Sequence, residues 1–348
     1  LNWTVVLLLI TSCKEEEVVT PVFTDDYGVG MYVVTDNGIG FYDGQQVTQK
    51  IYENVNNISL IGAKKIKFRG TKAYILTNNQ ILTANVQTFA KKEVVDGFVS
   101  AVDFDFISDN RILVVDKSDS KVKVANMLTL NIISDIETGE NTNPSFIISN
   151  SYKSFVLNGG GESLINKDST LIAIQYRDEL VSTAYFMGNL HVGDNPNSAV
   201  ITADGELKVL CKGIFDSSNP VSNTVSSLYD VNQYNNQVYS FMPLQSIFNA
   251  KNLTINSDNT GAYLTAEGGI YSLNIDNGST NLIVNVNASV ICAITESYAD
   301  SDTSIAYSQM LYMNDLNNFG KIYKYNLNTS IFSDTITFNG NIMDISFY

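Results

Sequence analysis

From residue 29 onward the sequence repeats one unit. A strand-forming run ending in Thr or Asp meets a short polar turn, and a second run then ends in Asn or Asp. Tyr32-Val33-Val34-Thr35-Asp36-Asn37 leads to Gly40-Phe41-Tyr42-Asp43, and Tyr74-Ile75-Leu76-Thr77-Asn78-Asn79 leads to Ile81-Leu82-Thr83-Ala84-Asn85. Likewise Tyr263-Leu264-Thr265-Ala266 leads to Ile270-Tyr271-Ser272-Leu273-Asn274, and Leu311-Tyr312-Met313-Asn314-Asp315 leads to Ile322-Tyr323-Lys324-Tyr325-Asn326. β-branched and aromatic residues suit a pleated, packed surface, and Asn, Asp and Gly mark the turns between runs. Helical periodicity is nearly absent. A hairpin recurring every ~40–50 residues has the period of a propeller blade, and residues 29–348 hold about seven such periods. The fold class expected is therefore all-β: a β-propeller of about seven four-stranded blades, whose ring leaves only short, protected edges. The last run, Ile342-Met343-Asp344-Ile345-Ser346-Phe347-Tyr348, is expected to pair into the first blade and close the ring. A pair of β-sandwiches would lack the hairpin-level repetition, and a β-helix would show a shorter, stricter period.

The segment before the repeats has a different character. Trp3-Thr4-Val5-Val6-Leu7-Leu8-Leu9-Ile10 is apolar, Thr11-Ser12 are small, and Cys13 is followed at once by Lys14-Glu15-Glu16-Glu17. The run is too short for a permanent membrane helix, which needs ~20 residues, and it fits the apolar part of a secretory signal. Ile10-Thr11-Ser12-Cys13 resembles a bacterial lipobox. The acidic run after it resembles the signal that exports lipoproteins of the Bacteroidota to the outside of the outer membrane. The expectation is a signal peptide over 1–12, truncated at its N-terminus since the sequence starts at Leu1 with no basic residue before the run, then lipidation at Cys13 and a flexible tether over 13–28. The alternative is a short buried strand with an ordinary core cysteine.

Composition limits the partners. A net charge of −15 disfavours nucleic acid, which requires a positive face, and leaves a lipid anchor as the only membrane attachment. With five Pro in 348 residues, turns must rely on Asn, Asp, Gly and Ser. The abundance of Asn, Ile and Tyr reads as compositional drift. Cys211 and Cys292 lie in apolar runs at different places in the repeat, so both are expected to be buried free thiols. No Cys/His cluster of metal spacing exists, and no cofactor is implied.

Catalytic constellations are sparse. The single histidine, His191, rules against zinc sites that take several His or Cys ligands, and there is no G-x-S-x-G elbow. Asp103 and Asp105 flank Phe104 and so share one strand face; paired acids serve glycosidases, but a solvated strand face is the simpler reading. Asp300-Ser301-Asp302 and Asp315 supply oxygen ligands of the kind calcium prefers, without a calcium-loop motif. Gly159-Gly160-Gly161-Glu162 lacks the Lys of a phosphate loop and reads as a turn. Links between the second and third strands of a blade are long at 158–170, 212–226 and 314–320. By propeller topology they share a face with inter-blade connections such as 139–144 and 191–197. Binding residues concentrate on loops held by a rigid scaffold, so His191, Asn195, Phe215, Asp216, Asp315 and Phe319 are the candidate ligand-binding residues. The alternative is that these insertions are neutral decoration.

Tyr32-Val33-Val34-Thr35-Asp36-Asn37 and Tyr74-Ile75-Leu76-Thr77-Asn78 are similar to the strand signature of YVTN-type propellers. Val192-Gly193-Asp194-Asn195-Pro196-Asn197-Ser198, followed by Asp204-Gly205-Glu206-Leu207-Lys208-Val209-Leu210-Cys211, resembles the YncE-like surface lipoproteins of Bacteroidota, as does the closing pattern from Leu311 to Ile342. The chain departs from that family at Lys208, where Trp is common. The resemblance implies a seven-bladed propeller tethered by lipid to the cell surface. One branch of the family captures vitamin B12 and passes it to a TonB-dependent transporter; many members have no assigned ligand. The functional expectation is a non-catalytic module on the outer membrane that captures a corrinoid or another small nutrient for such a transporter. The alternatives are a propeller enzyme acting on glycans or lactones, and an adhesion or protein-interaction scaffold.

Overall fold

The computed structural model describes residues 27–348 except 141, 151, 160–167, 177–183, 217, 260 and 300–304. Seven antiparallel sheets of four strands follow one another along the chain. Blade two shows the plan, with Lys65–Arg69 innermost, then Lys72–Leu76, Gln80–Asn85 and Lys91–Asp96 outward. Blade one takes its inner strand, Ile342–Phe347, from the C-terminus. It pairs Val33 with Ile345, while Gly30 and Tyr348 exchange backbone hydrogen bonds. The ring is thus closed by the last strand, as expected, and seven blades account for all 28 described strands.

The blades stack face to face, so their middle strands are covered on both sides. Met31–Thr35, Lys153–Asn158 and Leu207–Cys211 are buried at every position, Lys153 and Lys208 included. The outer strand Gln237–Pro243 instead alternates exposed and half-buried residues. Each of the seven seams is one apolar cluster. Tyr32, Phe41, Ile75 and Phe89 fill the seam between blades one and two, and Met31, Val33, Met310 and Tyr312 fill that between seven and one. The one α-helix among the described residues, Ile51–Asn56, stands where blade one has an outer strand of two residues, and it buries Ile51 and Tyr52 in the first seam. In blades two to seven the pairing of third and outer strands contains a register shift. Such bulges twist the exposed edge away from further pairing.

The frequent Asn is turn chemistry, which corrects the expectation of compositional drift. Asn85, Asn126, Asn232 and Asn326 each end a third strand and Asn274 directly follows one, and each Oδ1 accepts the N–H groups two and three residues on. The fifth residue of each turn, Phe89, Leu130, Asn236, Gly278 or Ser330, has φ between 55° and 72°. One Asx turn is therefore repeated in five blades, with a left-handed residue reversing the chain.

Asp103 and Asp105 are not a solvated pair. Asp103 is 1% exposed and lies 2.9 Å from Lys65 Nζ. Its Oδ2 accepts the Ile147 N–H, and Asp105 Oδ2 accepts the Ser149 N–H, so blade three pins the inner strand of blade four. Asp344 does the same for blade two through the Ile66 N–H, and Ser198 for blade six through the Leu253 N–H. Both carboxylates of the Asp103/Asp105 pair are occupied by structure. Lys208, where the chain departs from the pattern it resembles, is 3% exposed and sits 2.8 Å from Glu206 and 2.9 Å from Asp230. Cys211 and Cys292 are free thiols in separate seams, and burial pushes Cys292 up to about 12.

Candidate functional site

The plan of the ring sorts its connections onto two faces. Links from second to third strand, and from one blade to the next, lie on the face called upper here; the remaining turns lie on the lower. Tyr27 joins the lower-face turn of blade two, its N–H donating to Gln87 O.

All six candidate residues belong to the upper face, but they do not converge. His191 ends the outer strand of blade four with its side chain exposed. Asn195 is buried at φ 56°, and its Nδ2 donates to Gly213 O, fastening the link between blades four and five. Asp216 accepts the N–H and hydroxyl of Ser218 within its own loop. Asp315 is 9% exposed, with one oxygen taken by the Asn317 N–H and the other by Asn318 Nδ2. Asn195, Asp216 and Asp315 thus shape the links that carry them. Phe215 is 37% exposed and packs on Phe248 at 5.8 Å. Phe319, 66% exposed, lines an open hollow of ≈580 Å³ between blades seven and one, together with Asn37 and Asn339. Asp300-Ser301-Asp302 and Cys13 lie outside the described residues.

Between the long links of blades five and seven stands blade six, whose own second-to-third turn is only Glu267-Gly268. The contrast in length leaves a cleft of ≈350 Å³ over blade six. Gly269 keeps that turn low, because a Cβ there would meet Val284 O at 2.3 Å. One wall is the link over 285–290. Asn285, Asn287 and Ser289 are exposed, while Val286, Ala288 and Val290 pack into the seams. This is the alternation of an extended segment. It is fixed to blade seven because Asn314 Oδ1 accepts the Ser289 and Val290 N–H groups and Asn287 O accepts the Leu316 N–H. The other wall is Asn249, Lys251 and Asn252. Asn249 Nδ2 donates to Glu267 Oε1, leaving its buried Oδ1 without a partner; Asn252 Nδ2 donates to Thr265 Oγ1. No hydrogen-bond partner is seen among the described residues for the side-chain amides of Asn285 and Asn287. Ala266, Ala288 and Leu316 add an apolar strip.

None of the six candidates lines this cleft, although Phe215 is held beside it through Phe248, the neighbour of Asn249. The lining residues were missed because Asn was read as composition. The available signal was the strict alternation of Asn285-Val286-Asn287-Ala288-Ser289-Val290.

No family model matches the sequence, and no curated protein does. Solved structures share the fold. A functionally unknown protein from Desulfotomaculum acetoxidans is 12% identical with a TM-score of 0.63, covering 90% of this chain and 98% of that one. A quinonprotein alcohol dehydrogenase-like protein from Bacteroides thetaiotaomicron is 12% identical with a TM-score of 0.57, covering 91% and 75%. BamB from Moraxella catarrhalis is 12% identical with a TM-score of 0.53, covering 93% and 89%. At such identities the likeness is one of fold.

Proposed function

We propose that this protein is a non-catalytic recognition module whose ligand binds on the upper face over blade six. The observation that carries the reading is the blade-six cleft itself, held on a rigid ring and carrying on one wall the amides of Asn285 and Asn287, which have no partner among the described residues. The exposed amides of Asn285 and Asn287 offer both donors and acceptors to an incoming ligand. His191, the single histidine, has no carboxylate bonded to it among the described residues, which does not favour hydrolysis.

The finer reading is a lipoprotein anchored through Cys13 on the outside of the outer membrane, capturing a small nutrient for a TonB-dependent transporter. Tyr27 sits on the lower face, so a tether to an anchor upstream of it would leave the ring from the face opposite the cleft. The precedent for the ligand is a corrinoid. Its macrocycle exceeds the cleft and would rest across it, against Phe215. Calorimetric titration of the protein with cobalamin, siderophores, haem and oligosaccharides tests this. Binding without turnover is expected; turnover lost on changing His191 to Ala would refute the non-catalytic reading. Fatty-acid labelling lost in Cys13→Ala tests the anchor, and labelling that survives the change refutes it.

Docking of a protein partner is the second reading. Ile61, Val99, Val221 and Phe319 stand exposed on upper-face links of different blades, separate apolar contacts that a partner lying across the face would use together. A partner retained by Ile61→Asp and Phe319→Asp variants would count against it.

A further inference from the structure

We infer that the cleft over blade six takes a neutral saccharide of one or two rings; this deepens the recognition reading above and rests on it. Charge supplies the first argument. The chain carries a net −15, yet the ionisable lining of the cleft is one cation and one anion, Lys251 and Glu267. A site for phosphate or carboxylate gathers Arg, Lys or backbone N–H groups, and a site for a cation gathers carboxylates. Neither collection is present here.

Hydrogen-bonding chemistry supplies the second. Each Asn side chain offers two donors and an acceptor with two lone pairs. Asn285 and Asn287 are exposed, and among the described residues no partner is seen for their amides. An ion offers only one half of that complement. A ring of vicinal hydroxyls offers both, since every hydroxyl donates and accepts. The spacing of Asn285, Asn287 and Ser289, at about 7 Å for every second residue of an extended chain, lets hydroxyls on opposite sides of a ring, or on two linked rings, be met by separate groups.

Shape and apolar surface supply the third. The ≈350 Å³ of the cleft lies at the small end of the ~300–1,000 Å³ typical of ligand sites. That suits a sugar unit better than a macrocycle or a run of peptide. Ala266, Ala288 and Leu316 give the C–H face of a ring an apolar strip.

The test is calorimetry and saturation-transfer NMR on the full chain, with a panel of neutral mono- and disaccharides, cobalamin and a blocked neutral tripeptide. The Asn285→Ala/Asn287→Ala double variant is measured beside the wild type. The expected result is binding of at least one saccharide, weakened about tenfold in the double variant. If no saccharide binds but cobalamin or the tripeptide does, and the double variant loses it, the cleft stands and the saccharide assignment falls. Saccharide binding that the double variant leaves intact removes the cleft itself from the reading. A panel in which nothing binds at millimolar concentration overturns the inference.

Discussion

The inner wall of blades one to four and the cleft over blade six are both built from polar side chains, and they use them in opposite ways. On the inner wall Asp103 is 2.9 Å from Lys65, Asp105 3.5 Å from Lys67, and Asp103, Asp105 and Asp344 each accept a backbone N–H of the next blade. Every group there is taken. Over blade six the amides of Asn285 and Asn287 meet no protein partner among the described residues. Polar groups that are satisfied by the fold hold blades together, and groups left open face what comes from outside.

The largest way to break this contrast is Asp103→Ala. It strips the ammonium of Lys65 of its nearest carboxylate and leaves the Ile147 N–H unpaired inside the ring. Removing one partner of a buried pair costs about 3 kcal/mol or more, read as a fall in urea-unfolding stability. A loss below 1 kcal/mol, with ~1 kcal/mol being typical of an ordinary substitution, would show that the inner wall is not structural. A smaller change, Asn126→Ala, deletes an Asx turn whose oxygen holds two N–H groups; about 1 kcal/mol is expected, and no change would detach the repeated Asn from turn formation.

These two positions also show what was legible in the sequence. The hairpin repeat was readable because the second and third strands of every blade are neighbours in the chain, and in five blades the third strand runs into an Asx turn that is purely local. The long links were readable as insertions on one face. The cleft was not, because it arises where a two-residue turn, Glu267-Gly268, stands between longer links of other blades, and no single stretch encodes that difference. Reading the abundance of Asn as drift concealed Asn287 in the cleft, although Asn85 and its counterparts were already placed at the turns. Asp103 and Asp105 were read correctly as sharing a face, but the neighbour facing them, the inner strand of blade four, is set by ring closure.

Within the inner wall, Asp344 and Asp103 are set apart by their surroundings. Burial opposes ionisation of both. For Asp103, Lys65 and Lys67 overcome that opposition and hold the carboxyl below its ordinary value. For Asp344 burial prevails over the attraction of Lys65, and the neighbouring Asp103 adds repulsion, so its carboxyl is held above the ordinary value. The signs then differ. Asp103 contributes stability above the ordinary carboxylate range that is lost as pH falls through its depressed value. Asp344, whose folded form binds a proton more tightly than the unfolded chain, is a penalty at neutral pH that is relieved as pH falls through its raised value. Asp344→Asn keeps an oxygen for the Ile66 N–H, so it should raise the melting temperature slightly at pH 7, with the gain shrinking as the pH is lowered from 7 towards the ordinary carboxylate range. Asp103→Asn should lower it throughout that range. Equal behaviour of the two variants would mean that the inner wall treats its carboxylates alike.

The smallest expected effect falls on the other side of the comparison. Asn285 and Asn287 are exposed, make no side-chain hydrogen bond to the described protein, and project from a segment whose hold on blade seven runs through backbone atoms and Asn314. Replacing both with Ala removes no satisfied pair and opens no cavity, so stability should stay within ~0.5 kcal/mol of the wild type, the range of surface changes away from special features. Unfolding in urea, with the slope compared as well as the midpoint, measures this. A loss near that of Asn126→Ala would mean that the two amides are already spent inside the fold. The contrast between a saturated wall and an open cleft would then disappear, whatever the ligand panel showed.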